Sequence, residues 1–327
     1  MRIGSLMPPG SALWSGRLAS LSRAFADHYF VTDPAEAATA AGTLDALLAS
    51  RVEPSLLEAA SSLKALFLPI TGVNHLPLEL LSRKGVRVFN VHGNAESVAQ
   101  CALAMTLAFY GRLVEYHEDL RRKVWHGFWV GKGAEDEWSS LFRRRCAIFG
   151  TGAIGQALAR MLKAFDCEVV GYRRRGGEPA PPGFDRIEPD FRRAVEDAEL
   201  LFVALPLSRE TEGLFSKELL LSAKGKFLVN VGRGKVVDEE GLYLALRDGV
   251  LKGAAVDTWY QYPPPGSAGG APSRFPIHEL PNVILSPHVG GSTREANVIA
   301  ADQCVENISE WLRTGSCARE VDLERMY

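Results

Sequence analysis

The sequence predicts an α/β fold built as two halves, each around a parallel sheet, and three observations carry that prediction. Short apolar strand patterns alternate with helical patterns before residue 91 and again after residue 145. A long, mostly apolar helical pattern spans residues 94–116 between the two runs. A Gly-x-Gly-x-x-Gly turn stands between a strand pattern and a helix pattern at the start of the second run. At 327 residues the chain is long enough for two domains.

In the first run, RIGSLM at 2–7 reads as a strand, and RLASLSRAFADHY as a helix leading into the β-branched run FVT. KALFLP at 64–69 and VRVFNV at 86–91 read as buried strands, with LPLELLSRKG between them as a helix that stops at Gly85. Strands that alternate with helices need crossover connections, so the sheet is parallel. Residues 94–116 offer Asn94 or Ser97 as caps. The stretch from Arg121 to Leu141 carries Trp125, Trp129 and Trp138, lacks the alternation and reads as the domain junction. From Arg145 the strands CAIFG, CEVVGY, AELLFVAL, GKFLVNV, GAAVDTW and VILS follow, with helices AIGQALARMLKAF and GLYLALRDG among them. Residues 261–276, QYPPPGSAGGAPSRFP, are loop by composition and read as a surface excursion or a lid.

Composition excludes several functions. With 37 Lys and Arg against 39 Asp and Glu, the net charge of −2 argues against a general nucleic-acid binder. No apolar run is long enough for a membrane span, and the N-terminus lacks a signal-peptide pattern, so a cytoplasmic protein without membrane contact is expected. The five cysteines, Cys101, Cys146, Cys167, Cys304 and Cys317, are scattered and form no Cys-x-x-Cys pair. Neither they nor His28, His75, His92, His117, His126 and His278 show metal-ligand spacing, so no metal is expected.

The turn Gly150-Thr151-Gly152-Ala153-Ile154-Gly155 is a dinucleotide fingerprint in its required context. Its glycines let the backbone approach a pyrophosphate, and the helix it opens presents uncapped N–H groups to the phosphate charge. The following strand ends in CEVVGY and continues into Arg173-Arg174-Arg175, without the carboxylate that usually meets the ribose hydroxyls of NAD. Guanidinium groups suit a 2′-phosphate, so NADP is expected, with NAD as second choice.

With these motifs in view, the chain resembles the D-isomer-specific 2-hydroxyacid dehydrogenases, a family that includes glyoxylate/hydroxypyruvate reductases and phosphoglycerate dehydrogenases. Besides the glycine turn, the resemblance rests on LPLSRETEGLF at 205–215, VNVGRGKVVDEEGL at 229–242, GAAVDTW at 253–259 and NVILSPHVGGSTREA at 282–296. It extends more loosely to residues 71–90 and 93–100. The resemblance implies a Rossmann cofactor domain, residues 118–291, inserted into a discontinuous flavodoxin-like substrate domain of residues 1–117 and 292–327, with catalysis in the cleft between them. It implies a small 2-keto or D-2-hydroxy acid as substrate. Leu205, Pro206, Thr211, Val231, Gly232, Asp257 and Gly290 would line the cofactor together with Arg233 and His288. It also points to a homodimer joined through the Trp-rich arm.

Arg233, in a Gly-Arg-Gly turn after a strand, has the planar fork that holds a carboxylate and polarises a carbonyl. His288, in Ser-Pro-His-Val-Gly-Gly, matches the family's general acid/base, and an imidazole is suited to protonating a developing alkoxide. The Thr71-Gly72-Val73 turn resembles the family's second carboxylate holder, with Asn74 where Asp is commoner. One departure stands out. The family's third catalytic residue is a glutamate five residues beyond Asp257, and this chain has Tyr262 there; no acid occurs until Glu279. A carboxylate would raise the imidazole pKa and fix its tautomer, whereas a phenol supplies no charge. The working pKa of His288 is therefore expected to be lower than in glutamate-containing relatives.

The sequence is also compatible with two other readings. A cofactor-sensing binding protein with little turnover would explain the missing glutamate, but it needs neither Arg233 nor His288. The run Trp259-Tyr260-Gln261-Tyr262 and the loop behind it would also suit a bulkier, more apolar keto acid.

Overall fold

A computed structural model describes residues 1–8, 10–174, 177, 179–264 and 266–326. The chain divides into two compact units, one of Met1–Asn94 with Ser292–Tyr327 and one of Ala95–Gly291. The first is thus assembled from both chain ends.

The first unit holds β1 (Arg2–Ser5), β2 (Tyr29–Val31), β3 (Ala46–Leu48), β4 (Ala65–Phe67) and β5 (Arg87–Phe89). They form one parallel sheet in the order β2-β1-β3-β4-β5. Strand β3 is fully buried, yet its three apolar residues are too few to show a period in the sequence. The C-terminal helix, Arg294–Thr314, is capped by the Thr293 hydroxyl and ends at Gly315 in the left-handed conformation. It buries Ala301, Cys304, Ile308 and Trp311 in one apolar cluster with Phe67 and Phe89.

The second unit holds β6 (Arg145–Phe149), β7 (Glu168–Tyr172), β8 (Arg186–Glu188), β9 (Leu200–Val203), β10 (Phe227–Asn230), β11 (Gly253–Val256) and β12 (Val283–Leu285). These are parallel in the order β12-β11-β10-β9-β6-β7-β8. Both faces are covered. Cys146 and Ile148 of β6 enter one core cluster while Ala147 and Phe149 enter the other, as the two-residue period of a strand requires. Strand β8, at the sheet edge, is a partly exposed Arg-Ile-Glu run without an apolar pattern, and the sequence reading did not include it.

The expected helix over 94–116 is two helices, Ala95–Tyr110 and Leu113–Arg121, bent by 60°. The break falls at Gly111 and at Arg112, whose φ of 49° is left-handed. The first helix belongs to the second unit, so the boundary lies at Asn94/Ala95 instead of the expected 117/118. The reason is packing: Val98, Ala99, Ala102, Met105 and Tyr110 are buried with Ile148, Phe202 and Phe227, and Phe109 stacks on Phe227 with ring centroids 4.3 Å apart. The later division falls at Gly291/Ser292.

The arm beyond residue 113 contains no strand among the described residues, only Leu113–Arg121 and two short turns at Phe128–Val130 and Ala134–Asp136. Its Trp125, Phe128, Trp129 and Trp138 are all exposed, Trp129 to 79%.

Candidate active site

Chain order and sheet order together locate a crevice in the second unit. The chain runs outward from β6 through β7 to β8, then returns to β9 on the other side of β6. Ligands of open parallel sheets bind at such a reversal, beyond the strand carboxyl ends. Gly150 follows β6 at this point with φ of 108°, and a Cβ there would sit 2.8 Å from the Ala204 carbonyl oxygen beyond β9. Gly155 packs so closely that a Cβ would lie 2.0 Å from the Gly150 carbonyl oxygen. The helix Ala153–Lys163 starts after Gly152 with no side chain capping it. Its first-turn N–H groups and the open space at Gly152 fit a pyrophosphate, as the motif Gly150 to Gly155 requires.

Beyond β7, Arg173 donates from Nη2 to the Pro179 carbonyl at 3.2 Å, and Arg174 pairs with Glu210. Arg175 lies outside the described residues. Glu210 belongs to the loop after β9 that also contains Leu205, Pro206 and Thr211. That loop is shaped by Thr211, whose hydroxyl donates to the Pro206 carbonyl at 2.6 Å and accepts from the Ser208 N–H at 2.8 Å.

After β10, Val231 is buried and the Gly232 N–H donates to the Asn230 side-chain oxygen at 3.1 Å. The Asn230 amide in turn donates to the Arg233 carbonyl at 3.1 Å, fixing the turn that carries the guanidinium. Arg233 is half-buried. Its Nη1 donates to the Gly232 carbonyl at 2.8 Å, and among the described residues no carboxylate pairs with it. Burial pushes its pKa down, with the Tyr262 phenol opposing. A partly desolvated cation without a counter-ion is suited to an incoming carboxylate.

Asp257 follows β11 and is 2% exposed. Its Oδ1 accepts from the Ser286 hydroxyl at 2.5 Å and from the N–H groups of Val289 at 2.9 Å and Gly290 at 3.3 Å. The Trp259 indole N–H donates to the Ser286 carbonyl at 2.8 Å. These bonds bracket His288, which is solvent-exposed and has a φ of 58°. A left-handed non-glycine residue costs about 1–3 kcal/mol and persists only where its surroundings impose it.

No hydrogen bond joins Tyr262 to His288 among the described residues. The Trp259 N–H donates to the Tyr262 hydroxyl at 3.0 Å, and the Tyr262 ring packs beside the imidazole. The hydroxyl therefore does not set the His288 tautomer. Glu279 lies next to its neighbour His278, with Oε1 3.8 Å from Nε2, and supplies no replacement carboxylate to His288. Surrounding protein lowers the His288 pKa below the usual histidine range; Asp257 opposes this and Arg233 adds to it.

The loop behind Tyr262 walls a groove of about 300 Å³ together with Trp259, Pro263, Pro272, Leu285 and Pro287. Its far end is anchored, since Glu239 accepts from the Ser273 hydroxyl at 2.9 Å and from the Arg274 backbone N–H at 2.8 Å.

In the first unit, the Thr71-Gly72-Val73 turn follows β4. The Thr71 hydroxyl donates to the Val91 carbonyl at 2.8 Å, and the Asn90 amide donates to the Thr71 carbonyl at 2.8 Å. The sequence reading missed Ser286, Asn230 and Glu210. Their partners lie across loops, and only the adjacency of Ser286 to the Pro-His pair hinted at one of them. Among the described residues no group of His, Cys, Asp and Glu is placed to hold a metal.

A glycine-rich turn at the reversal point of a parallel seven-stranded sheet, with arginine and histidine at neighbouring strand ends, defines a dinucleotide-dependent oxidoreductase of the Rossmann class. The profile of the NAD-binding domain of the D-isomer-specific 2-hydroxyacid dehydrogenases matches residues 103–290, more than half of the chain. The chain belongs to that family and is an NAD(P)-binding enzyme of it. It is 29% identical over 313 residues to glyoxylate/hydroxypyruvate reductase B of Pectobacterium carotovorum, covering 92% of this chain and 94% of that one. It is also 29% identical over 270 residues to glyoxylate reductase of Thermofilum pendens, covering 80% and 76%. Among solved structures, the NADPH-dependent glyoxylate/hydroxypyruvate reductase of Sinorhizobium meliloti superposes with a TM-score of 0.74 at 26% identity, over 99% of this chain and 98% of that one.

Proposed function

We propose that this enzyme is an NADP(H)-preferring reductase that converts a small 2-keto acid to the D-2-hydroxy acid. The observation that carries the reading is Arg233, half-buried and without a carboxylate partner among the described residues, in the same unit as an exposed His288 held in a left-handed turn. Arg233 binds the substrate carboxylate and polarises the keto oxygen. The Thr71-Gly72-Val73 turn is a second carboxylate holder. NADPH, when bound at the Gly150–Gly155 turn, supplies the hydride. As negative charge grows on the keto oxygen, protonated His288 gives it one ring proton, leaving a hydroxyl and a neutral imidazole. In the reverse direction neutral His288 takes that proton back. Tyr262 takes no proton in either direction: burial raises its pKa, so the phenol stays neutral.

The NADP preference is supported by Arg173 and Arg174 after β7 and by the NADPH dependence of the Sinorhizobium reductase. A homodimer through the arm is supported by the exposed Trp125, Phe128, Trp129 and Trp138, since four large exposed aromatics on one short arm favour burial against a partner. Sedimentation at micromolar concentration tests the dimer, and a monomer contradicts it. A matrix of NADPH and NADH against glyoxylate, hydroxypyruvate, pyruvate and phenylpyruvate tests the activity. The expected result is turnover of at least one acid with kcat/KM higher for NADPH. Tight NADPH binding with no turnover of any of them would favour a cofactor-sensing protein.

A further inference from the structure

We propose that Ser286 and Trp259 are positioning residues for His288, Ser286 through Asp257 and Trp259 through the Ser286 carbonyl and the Tyr262 ring, and that together they do the orienting that a carboxylate on the imidazole would otherwise do. The proposal rests on the reading of His288 as the proton donor and deepens it.

The imidazole makes no hydrogen bond to the protein among the described residues, so nothing holds the ring by its nitrogens. Its aim must come from its backbone and from the surface it lies on. The backbone is left-handed, with φ of 58°, a conformation uncommon at a residue with a Cβ and kept where the surroundings hold it. Hydrogen bonds on both sides hold it. On the N-terminal side the Ser286 hydroxyl reaches Asp257 Oδ1 at 2.5 Å, and the Ser286 carbonyl receives the Trp259 indole N–H at 2.8 Å. On the C-terminal side the Val289 N–H reaches the same Oδ1 at 2.9 Å, and the Gly290 N–H reaches Oδ2 at 3.2 Å. One buried carboxylate thus collects donors from residues 286, 289 and 290, and the turn between them has little freedom to relax. Asp257, Trp259 and Ser286 are all under 10% exposed, so water competes poorly for these bonds. The Tyr262 ring supplies the surface, packed beside the imidazole and itself tethered to the Trp259 N–H. Trp259 therefore holds the turn with its indole and the neighbouring ring with its backbone.

The chemistry requires no new group. Proton transfer depends steeply on donor geometry, and a displacement of about 1 Å costs up to about 100-fold in rate. Removing one bond of the clamp lets the turn move toward ordinary backbone angles and swings the ring away from the keto oxygen, without removing Arg233 or the phosphate cradle.

The test compares Ser286→Ala, Ser286→Thr, Trp259→Phe and His288→Gln, together with the double variant Ser286→Ala/His288→Gln, in NADPH-dependent reduction of the best keto acid. Ser286→Ala should lower kcat by about 10- to 100-fold, with KM and the NADPH Kd changed by no more than about 2-fold. The solvent isotope effect on kcat should rise, because proton delivery becomes slower. Ser286→Thr, which keeps the hydroxyl, should restore most of the rate. In the His288→Gln background Ser286→Ala should cost nothing further, because it acts through the imidazole. A kcat within about 2-fold of the parent for both Ser286→Ala and Trp259→Phe overturns the proposal, as does an equal loss with and without His288. Should Ser286→Ala melt below the assay temperature, Trp259→Phe decides by the same criteria. Undiminished turnover in His288→Gln overturns the proton-donor reading itself, a result distinct from failure of the clamp.

Discussion

The rings of Tyr262 and His288 lie with centroids 5.4 Å apart and planes tilted by 46°, in contact by packing and not by a hydrogen bond. This pair stands where the family resemblance calls for a carboxylate bonded to an imidazole. The consequences are electrostatic: the imidazolium lacks that directly bonded countercharge, the surrounding protein disfavours it, Asp257 opposes this and Arg233 adds to it.

The pH dependence follows from the sign of that shift. With His288 as the proposed proton donor, reduction would need the protonated imidazole, whose pKa is held below the usual value of about 6.5 by the surrounding protein. The kcat/KM for reduction should therefore fall as pH rises through a value below the usual one, and oxidation should gain at neutral pH. Replacing Tyr262 by Glu adds a negative charge beside the ring, so the basic limb of the profile should move to higher pH. Profiles of kcat/KM for parent and variant check this; an unmoved limb contradicts it.

Arg233 is expected to act in the transition state as well as in binding. Arg233→Lys keeps the charge but loses the two-pronged fork, and should lower kcat/KM for the keto acid by about 100-fold or more. The Kd for NADPH, measured by fluorescence titration, should change far less than kcat/KM, since the retained lysine charge still faces the cofactor and the pyrophosphate is held by the Gly150–Gly155 turn.

The ion pair between Arg174 and Glu210 places a carboxylate on the very group expected to meet a 2′-phosphate. Both side chains are about half exposed, so the pair itself is weak. Arg174→Ala should reduce the NADPH-over-NADH ratio of kcat/KM by about tenfold. Glu210→Gln should raise that ratio a few-fold by freeing the guanidinium. A ratio unchanged in both variants would remove the arginines from cofactor selection.

In the arm, both nitrogens of His126 meet carboxylates: Nδ1 lies 2.7 Å from Asp136 and Nε2 lies 2.8 Å from Asp119. Only the imidazolium donates to both. Its pKa is raised, first by Asp136 and then by Asp119, while the Lys132 charge opposes. A raised folded pKa means that the clamp's contribution to stability is complete below the unfolded value of about 6.5 and is lost as pH rises through the folded value. Amide exchange over residues 119–136, corrected for intrinsic rates, should accelerate across that window in the parent. His126→Gln should abolish the pH dependence.

Much of this architecture is legible in the residues. The strands CAIFG, CEVVGY and FLVNV announce themselves because both sheet faces are buried, which makes continuous apolar runs. The site residues Arg233, Asp257 and His288 follow strand ends in short, distinctive turns. The long helix misled in its length and its packing for a physical reason: its apolar face does not say which sheet it covers, and a left-handed Arg112 has no sequence signature. The clamp was hidden more deeply. Asp257 and Ser286 are 29 positions apart, and only the pairing of β11 with β12 brings them together.

The proposed reaction is reduction of a 2-keto acid with His288 as proton donor. The most direct measurement is NADPH-dependent reduction of glyoxylate and hydroxypyruvate by the parent and by His288→Gln, with NADPH binding measured alongside. Turnover is expected of the parent, and a loss of about 100- to 10,000-fold in kcat of the variant, with NADPH binding retained. Equal rates for the two proteins would contradict it.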